Sequence, residues 1–221
     1  MFNTIVTSDL GEKIASKYGV ETEKTLTGFK FIGEKVAKYE KTQAKNYVFG
    51  YEESYGSLIK PFVRDKDAPQ ACLMLAEAAC FYKAQGKTLV DVLNGLYEEL
   101  GYYKESQTSL TLKGQEGAMR IQEILNTLRQ DKPTQIGSVA VTAIEDYQEA
   151  TREEQGVVSP LEGFSRSNVL KYYLADGSWI AIRPSGTEPK CKFYYCIKGT
   201  SAEDAETKTE VMQKAIAQLV A

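Results

Sequence analysis

The sequence contains no histidine at all. That absence removes every mechanism in which an imidazole takes a proton from a serine or a cysteine. Its four cysteines, Cys72, Cys80, Cys191 and Cys196, form no C-x-x-C pair. A structural zinc site would therefore need thiols converging from distant segments, and the expectation is buried, reduced thiols in a cytoplasmic protein. Long hydrophobic runs are missing too. The most apolar stretch, Ala71 to Phe81, is too short to span a bilayer and contains Glu77. Met1 to Val6 shows no basic region followed by an apolar one, so no signal peptide is read. There is no excess of positive charge: the net charge is -3, which excludes a general basic surface for nucleic acid and makes any anion site a local construction. Nucleotide fingerprints also fail. Gly28 to Lys35 invites a phosphate-loop reading, but Glu34 stands where lysine must follow the second glycine, and no G-x-G-x-x-G is present.

What is present is an ordinary globular composition, 43% hydrophobic and 26% charged over 221 residues, enough for one large or two small domains. The first hundred or so residues alternate short β-like runs with helices. Asn3 to Thr7 reads as a strand, Leu10 to Tyr18 as a helix closed by Gly19, Phe29 to Lys41 as a second helix, and Tyr47-Val48-Phe49 as a strand running into Gly50. Asp67 is placed to cap a helix through Lys83. Thr88 with Asp91 forms a capping-box pattern that opens Leu89 to Leu100. The pattern changes around Ser106. Ser109 to Leu112 and Ile136 to Ile144 read as strands either side of an amphipathic helix, Gly117 to Arg129. Val169 to Ala175 and Ser178 to Arg183 flank Asp176-Gly177, the signal for a two-residue type I′ hairpin. Lys192 to Lys198 is a further strand, and Ser201 with Asp204 caps a last helix. Gln148 to Ser167, polar and broken by Gly156, Pro160 and Gly163, reads as a long exposed loop. The expectation is an α/β domain with a mixed sheet and helices over residues 1–105, then an α+β domain with an antiparallel sheet covered by helices over residues 106–221.

Two constellations carry chemistry. Arg183-Pro184-Ser185-Gly186-Thr187-Glu188-Pro189-Lys190 leaves the second strand of the hairpin. Arg183 offers a planar fork for a phosphate. Ser185 and Thr187 add hydroxyl donors, and Gly186 lets the backbone approach an anion closely. The same residues also suit a plain surface turn. Gly50-Tyr51-Glu52-Glu53-Ser54-Tyr55-Gly56 sets carboxylates, a hydroxyl and aromatic walls at the carboxyl end of a strand, where open α/β sheets bind ligands. Carboxylates and a serine suit sugar hydroxyls; a solvated acidic turn is the bland alternative. Adjacent residues project in different directions, which disfavours Glu52 and Glu53 as the acid and base of a glycosidase. Thr27-Gly28, opening a helix, and Arg64-Asp65-Lys66-Asp67, preceding another, are weaker features that, taken alone, read more readily as helix caps than as ligand contacts.

In this order the pieces resemble the α-D-phosphohexomutase family, most closely its bacterial phosphoglucomutase and phosphomannomutase members. Arg183 to Lys190 looks like the phosphate-binding loop of that family's fourth domain, and Gly50 to Gly56 like the sugar-binding loop of its third. Thr27-Gly28-Phe29-Lys30-Phe31 resembles its Thr-Gly-aromatic-Lys segment, and Arg64 to Asp67 its lysine-bearing substrate segment. The resemblance implies an enzyme that interconverts hexose 1-phosphate and hexose 6-phosphate through a phosphoserine and a bisphosphorylated sugar, assisted by Mg²⁺. It assigns Glu52, Ser54, Thr27, Gly28 and Lys66 to the sugar, and Arg183, Ser185, Gly186, Thr187 and, less directly, Lys192 to the phosphate. The departures are equally informative. The family's Ser-His-Asn-Pro loop has no counterpart in a chain without histidine, and its Asp-x-Asp-Gly-Asp magnesium loop is matched no further than Asp176-Gly177-Ser178. No catalytic or metal-ligating residue is therefore expected here. The first two domains and the opening of the third are expected to lie outside this sequence, as partners of this portion together with the phosphosugar. A non-catalytic phosphosugar-binding or interaction module is the alternative.

Overall fold

The computed structural model describes residues 1–186 and 188–220. Contacts divide the chain into two units, Met1–Gly101 and Tyr102–Ala221.

The first unit runs β1 (Phe2–Thr4), α1 (Leu10–Lys17), β2 (Glu23–Thr25), α2 (Phe29–Thr42), β3 (Gly50–Tyr51), β4 (Ser57–Leu58), α3 (Ala68–Lys83) and α4 (Leu89–Leu100). Its sheet has the order β2-β1-β3-β4. β1 pairs in parallel with β2 and β3, and β4 returns antiparallel to β3, so the mixed sheet with helices is what forms. The apolar positions of α2, Phe29, Ile32 and Val36, pack on Phe2 and Leu58. Tyr47 does not join a strand: its ring stacks on Phe2 and its hydroxyl donates to the Leu58 carbonyl at 2.6 Å. Pairing therefore begins at Gly50, later than the Tyr47-Val48-Phe49 run implies. The caps on the next helices hold. The Asp67 carboxylate accepts from the Gln70 N–H, and Thr88 and Asp91 close a reciprocal box, each cap worth about 1 kcal/mol.

The second unit runs β5 (Tyr102–Thr111), α5 (Gly114–Gln130), β6 (Gln135–Ile136), β7 (Val139–Asp146), β8 (Thr151–Glu154), β9 (Val157–Pro160), β10 (Leu170–Leu174), β11 (Trp179–Pro184), β12 (Lys190–Gly199) and α6 (Ala202–Leu219). Its antiparallel sheet has the order β5-β12-β11-β10-β7-β8-β9, with β6 beside β7. One face buries Leu170, Tyr172, Ile180, Ile182, Phe193 and Tyr195 against Ile121, Leu125 and Leu128 of α5 and Met212 and Ile216 of α6.

Three local expectations change. Gln148 to Ser167 is not all loop, because β8 and β9 form a hairpin there. Gln155 (φ 52°) and Gly156 (φ 77°) both take positive φ, the type I′ geometry. β8 (Thr-Arg-Glu-Glu) is polar on both faces, and Val157 and Val158 put apolar groups on both faces of the edge strand β9, so no alternation betrays either. At Asp176-Gly177 only the glycine has positive φ. The Gly177 N–H donates to the Leu174 carbonyl, and the Leu174 N–H to that of Ser178. This is a three-residue loop with a bulge, not the expected two-residue turn. Cys191 and Cys196 are buried, and burial pushes the Cys191 thiol up to about 12. Cys72 and Cys80 are exposed, against expectation, because they stand on uncovered sides of α3. No helix among the described residues is long and apolar enough to cross a membrane.

The sheet face opposite α5 and α6 carries a buried polar network. Glu145 accepts from Arg152 at 2.7 Å through Oε1, and from the hydroxyls of Tyr147 and Tyr173 at 2.7 and 2.9 Å through Oε2. Lys171 stands directly across from Glu145 in the β10–β7 register. It is only 1% exposed, with its ammonium over the rings of Trp179 and Tyr173. Burial and the neighbouring Glu145 hold the Tyr147 hydroxyl far above its ordinary pKa, so it stays a donor. Removing one partner of such a network leaves the rest uncompensated. Glu145→Ala is expected to cost about 3 kcal/mol, measurable as a lower urea midpoint; an unchanged midpoint would show that Arg152 and Lys171 need no counter-charge.

Candidate functional site

In the first unit the chain leaves β1 toward β2 on one side, and leaves β3 toward β4 on the other. The carboxyl ends of β1 and β3 thus flank a point where the connections diverge, the place where open α/β sheets bind ligands. The Gly50–Gly56 segment lies there. Glu52 donates its N–H to the Gly56 carbonyl at 2.9 Å and closes a short loop. Ser54 is exposed near the tip, beside Tyr55, which is held at φ 67°.

The adjacent carboxylates separate, as their alternation requires. Glu53 turns inward, where Thr4 Oγ1 donates to its Oε2 at 2.8 Å. Thr4 and Thr7 share a further hydroxyl–hydroxyl bond at 2.8 Å, so the carboxyl end of β1 anchors the loop. Glu52, only 8% exposed, lies beside Gly56 and the Lys66 side chain: a Cβ on Gly56 would sit 2.8 Å from Glu52 Oε1 and 2.6 Å from Lys66 Cδ. Lys66 also reaches over the Phe29 ring, 5.9 Å from its centroid. Its hydrogen bond to Asp65, with a weaker pull from Glu52, holds its pKa above the ordinary lysine value, so it stays cationic. Thr27 and Gly28 follow β2 at the same end of the sheet. Gly28, at φ 116° and ψ 127°, is the N-cap of α2, a conformation open to glycine and costly for other residues. The Thr27 hydroxyl is buried without a hydrogen-bond partner among the described residues.

Glu52, Lys66, Thr27 and Gly28 are therefore drawn to one end of one sheet. Thr4 and Thr7 were missed by reasoning from sequence. Their signal is a pair of hydroxyl residues at the end of a β-branched run, which reads equally as strand.

In the second unit, Arg183 ends β11 and Lys192 lies directly opposite it on β12, with Ser109 of β5 next across. Since Ile180 and Ile182 face the helices, Arg183 points away from them, and Lys192 shares its face. Among the described residues neither cation has an ion-pair or hydrogen-bond partner. Like charges directly opposite each other in a sheet are destabilising, and among the described residues no acidic side chain pairs with either cation. The connecting loop is fastened at its base: the Ser185 N–H donates to the Lys190 carbonyl at 2.7 Å, and the Leu112 N–H to that of Pro189 at 3.0 Å. The Ser185 hydroxyl accepts from the Glu188 N–H at 3.3 Å, and Gly186 is exposed between them. Thr187 lies outside the described residues. The geometry is an open turn with two cations at its root that have no partner among the described residues.

Comparison with known proteins accords with this arrangement. A profile described as phosphoglucomutase/phosphomannomutase, alpha/beta/alpha domain III, matches residues 1–100, and one described as the C-terminal domain of the same family matches residues 125–214. A phosphoglucomutase of Staphylococcus aureus (strain MRSA252) is 39% identical over 214 residues, which is 96% of this chain and 38% of that protein. The chain thus spans well under half the length of such curated relatives. Among solved structures, the Paramecium pp63/parafusin phosphoglucomutase in its open form aligns with a TM-score of 0.62 at 21% identity, covering 99% of this chain and 38% of that one. A phosphoglucomutase/phosphomannomutase family protein of Burkholderia thailandensis gives 0.55 at 16% identity, covering 99% and 37%. At these identities the structures speak for the fold.

The placement of Lys66 depends on close packing behind it. A Cβ on Gly33 of α2 would lie 2.5 Å from the Arg64 carbonyl oxygen, and a backbone atom cannot swing aside as a side-chain tip can. Gly33→Ala is expected to destabilise the protein by about 1–3 kcal/mol, read as a lower thermal midpoint. A midpoint at or above that of the parent would show that the segment carrying Lys66 is not pinned by this contact.

Proposed function

The chain belongs to the phosphoglucomutase/phosphomannomutase family, as its third and C-terminal domains, and from that premise we propose that it supplies the sugar-binding and phosphate-binding half of a phosphohexomutase. The observation that carries the reading is the unpartnered Arg183–Lys192 pair beneath an open glycine turn. The ligand is a hexose monophosphate, passing between its 1-phosphate and 6-phosphate forms.

The residues divide the work by chemistry. Arg183 grips the non-reacting phosphate with paired charge-assisted bonds, and Lys192 adds a second positive charge on the same face. Ser185 and Thr187 donate hydroxyl hydrogens, and Gly186 leaves the backbone N–H groups open to the anion. Glu52 and Ser54 hydrogen-bond sugar hydroxyls, while Lys66, Thr27 and Gly28 line the sugar's side of the site. Glu53, committed to Thr4, fixes the loop instead of touching the ligand. The reaction is phosphoryl transfer: a phosphoserine gives its phosphoryl group to the free hydroxyl of the sugar monophosphate, and the same serine takes the other phosphate from the resulting bisphosphate. That serine belongs to the family's remaining polypeptide, and so does the Mg²⁺ loop. Among the described residues no group of three or more His, Cys, Asp or Glu side chains is placed to hold a metal ion.

Two outcomes follow. The 221-residue protein is expected to show no mutase turnover even with Mg²⁺ and a sugar bisphosphate, because it holds no nucleophile that accepts and returns a phosphoryl group; measurable conversion of glucose 1-phosphate would contradict this. It is nevertheless expected to bind glucose 1-phosphate with millimolar affinity, roughly −4 kcal/mol, moving the Gly186 backbone amide in a labelled sample. Arg183→Ala should weaken that binding by about 1–2 kcal/mol more than Ser185→Ala, since a charged bidentate donor is lost instead of one neutral hydroxyl. Equal losses, or a Gly186 amide that stays still while others move, would put the phosphate elsewhere.

A further inference from the structure

The open face of β11, β12 and β5 carries more positive charge than the Arg183–Lys192 pair alone. Along β12, Cys191 and Phe193 face the helices, so Lys190, Lys192 and Tyr194 face away from them. The strand register sorts that face into rungs. Arg183, Lys192 and Ser109 lie directly across from one another. One rung nearer the turn, Lys190 lies across from Thr111, and its carbonyl accepts from the Ser185 N–H at 2.7 Å. Ser109 and Thr111 are exposed, and the three cations are half-buried. Among the described residues the Lys190 side chain, like those of Arg183 and Lys192, has no ion-pair or hydrogen-bond partner. The next rung toward the middle of the sheet, Ala181, Tyr194 and Gln107, is uncharged. Glu105 of β5 lies across from Cys196, about 20 Å along the strand from Lys190. Glu188, in the turn itself, is exposed and forms no ion pair among the described residues.

We propose that Lys190 is a third phosphate-binding cation, and that it makes the site select a doubly charged phosphate monoester over a singly charged ester of the same shape. The inference rests on the phosphate site proposed at Arg183 and deepens it. Residues two apart on a strand stand about 7 Å apart, and neighbouring strands about 5 Å. The long side chains of Arg183, Lys192 and Lys190 can therefore converge on one anion above their shared face. Their roles differ by chemistry. Arg183 presents a planar fork that fixes the orientation of the phosphate, whereas a lysine ammonium is a mobile point charge that adds attraction without dictating geometry. One negative charge leaves most of the repulsion among three cations in place. Two charges spread over three acceptor oxygens offset it, and the Ser109 and Thr111 hydroxyls stand on the same face to complete the shell. The hold of the Lys190 carbonyl on Ser185 also ties its position to that of the turn.

The test compares glucose 6-phosphate with glucose 6-sulfate, one sugar bearing a dianionic or a monoanionic ester. Each is titrated into the labelled 221-residue protein while backbone amides are followed, at about pH 8, where a phosphate monoester carries close to two negative charges. The parent is expected to bind the phosphate at least about five-fold more tightly than the sulfate. Lys190→Gln is expected to weaken the phosphate about three- to ten-fold and the sulfate less, so that the ratio falls; Lys190→Arg should keep it. Without ligand, Lys190→Gln is expected to raise the thermal midpoint, because one of three mutually repelling cations is gone. Unchanged affinities in Lys190→Gln, beside an Arg183→Ala variant that binds more weakly, overturn this inference and leave the phosphate site standing. Equal weakening of both esters, with a lowered midpoint, makes Lys190 structural and overturns it as well. Failure of glucose 6-phosphate to bind, or binding untouched by Arg183→Ala, removes the phosphate site and this inference together.

Discussion

The proposed phosphate site turns on one unfavourable pairing, the cross-strand placement of Arg183 against Lys192 without a counter-charge among the described residues. Two cations on directly opposite residues of paired strands repel each other, and the arrangement persists because the strands that carry them are held by other means. Ile180, Ile182, Phe193 and Tyr195 lock the opposite face of β11 and β12 beneath α5 and α6. Farther along the cations' own face, Glu145 ties Arg152, Tyr147 and Tyr173 together beside the buried Lys171. The sheet is rigid enough to present charge that it does not itself satisfy. An incoming dianion would relieve the repulsion, so stability given up in the free protein returns as affinity.

The proposed sugar end, at the Gly50–Gly56 loop, is built on the opposite logic. Its polar groups are largely spoken for: Glu53 by Thr4, Lys66 by Asp65, the Glu52 N–H by the Gly56 carbonyl. Contact distances, not unpaired charge, set its shape. Gly56 admits Glu52 and Lys66 from either side, and Gly33 admits the backbone carrying Arg64. Such a site contributes orientation more than binding energy, which fits a ligand whose charge is concentrated on its phosphate.

Legibility in the sequence followed the strength of the local signals. Amphipathic helices and their caps could be read because Asp67, Thr88 with Asp91, and Ser201 each take the backbone N–H that their spacing predicts. The alternating strands over α5 and α6 could be read for the same reason, since one face is wholly apolar. The β8–β9 hairpin could not, because β8 is polar on both faces and β9 has adjacent valines on opposite faces, so neither has a period to detect. The Asp176-Gly177 turn was located correctly and its type was not, since only the glycine takes positive φ. The loops Gly50 to Gly56 and Arg183 to Lys190 stand out by composition. The anchoring of Glu53 by Thr4 and the uncompensated register of Arg183 with Lys192 are long-range pairings, invisible until the strands are aligned. The apolar run of α3 was visible, but its exposure was not.

The central claim is that the half-buried Arg183–Lys192 pair holds a phosphate borne by a sugar. Its most direct measurement is the thermal midpoint of the 221-residue protein in rising glucose 1-phosphate, against the same concentrations of glucose with ionic strength matched by chloride. A ligand that binds only the folded state raises the midpoint as its concentration passes the dissociation constant. The account predicts a rise with glucose 1-phosphate, a smaller one with inorganic phosphate, and none with glucose. A midpoint indifferent to phosphate, or equally raised by glucose, would contradict it.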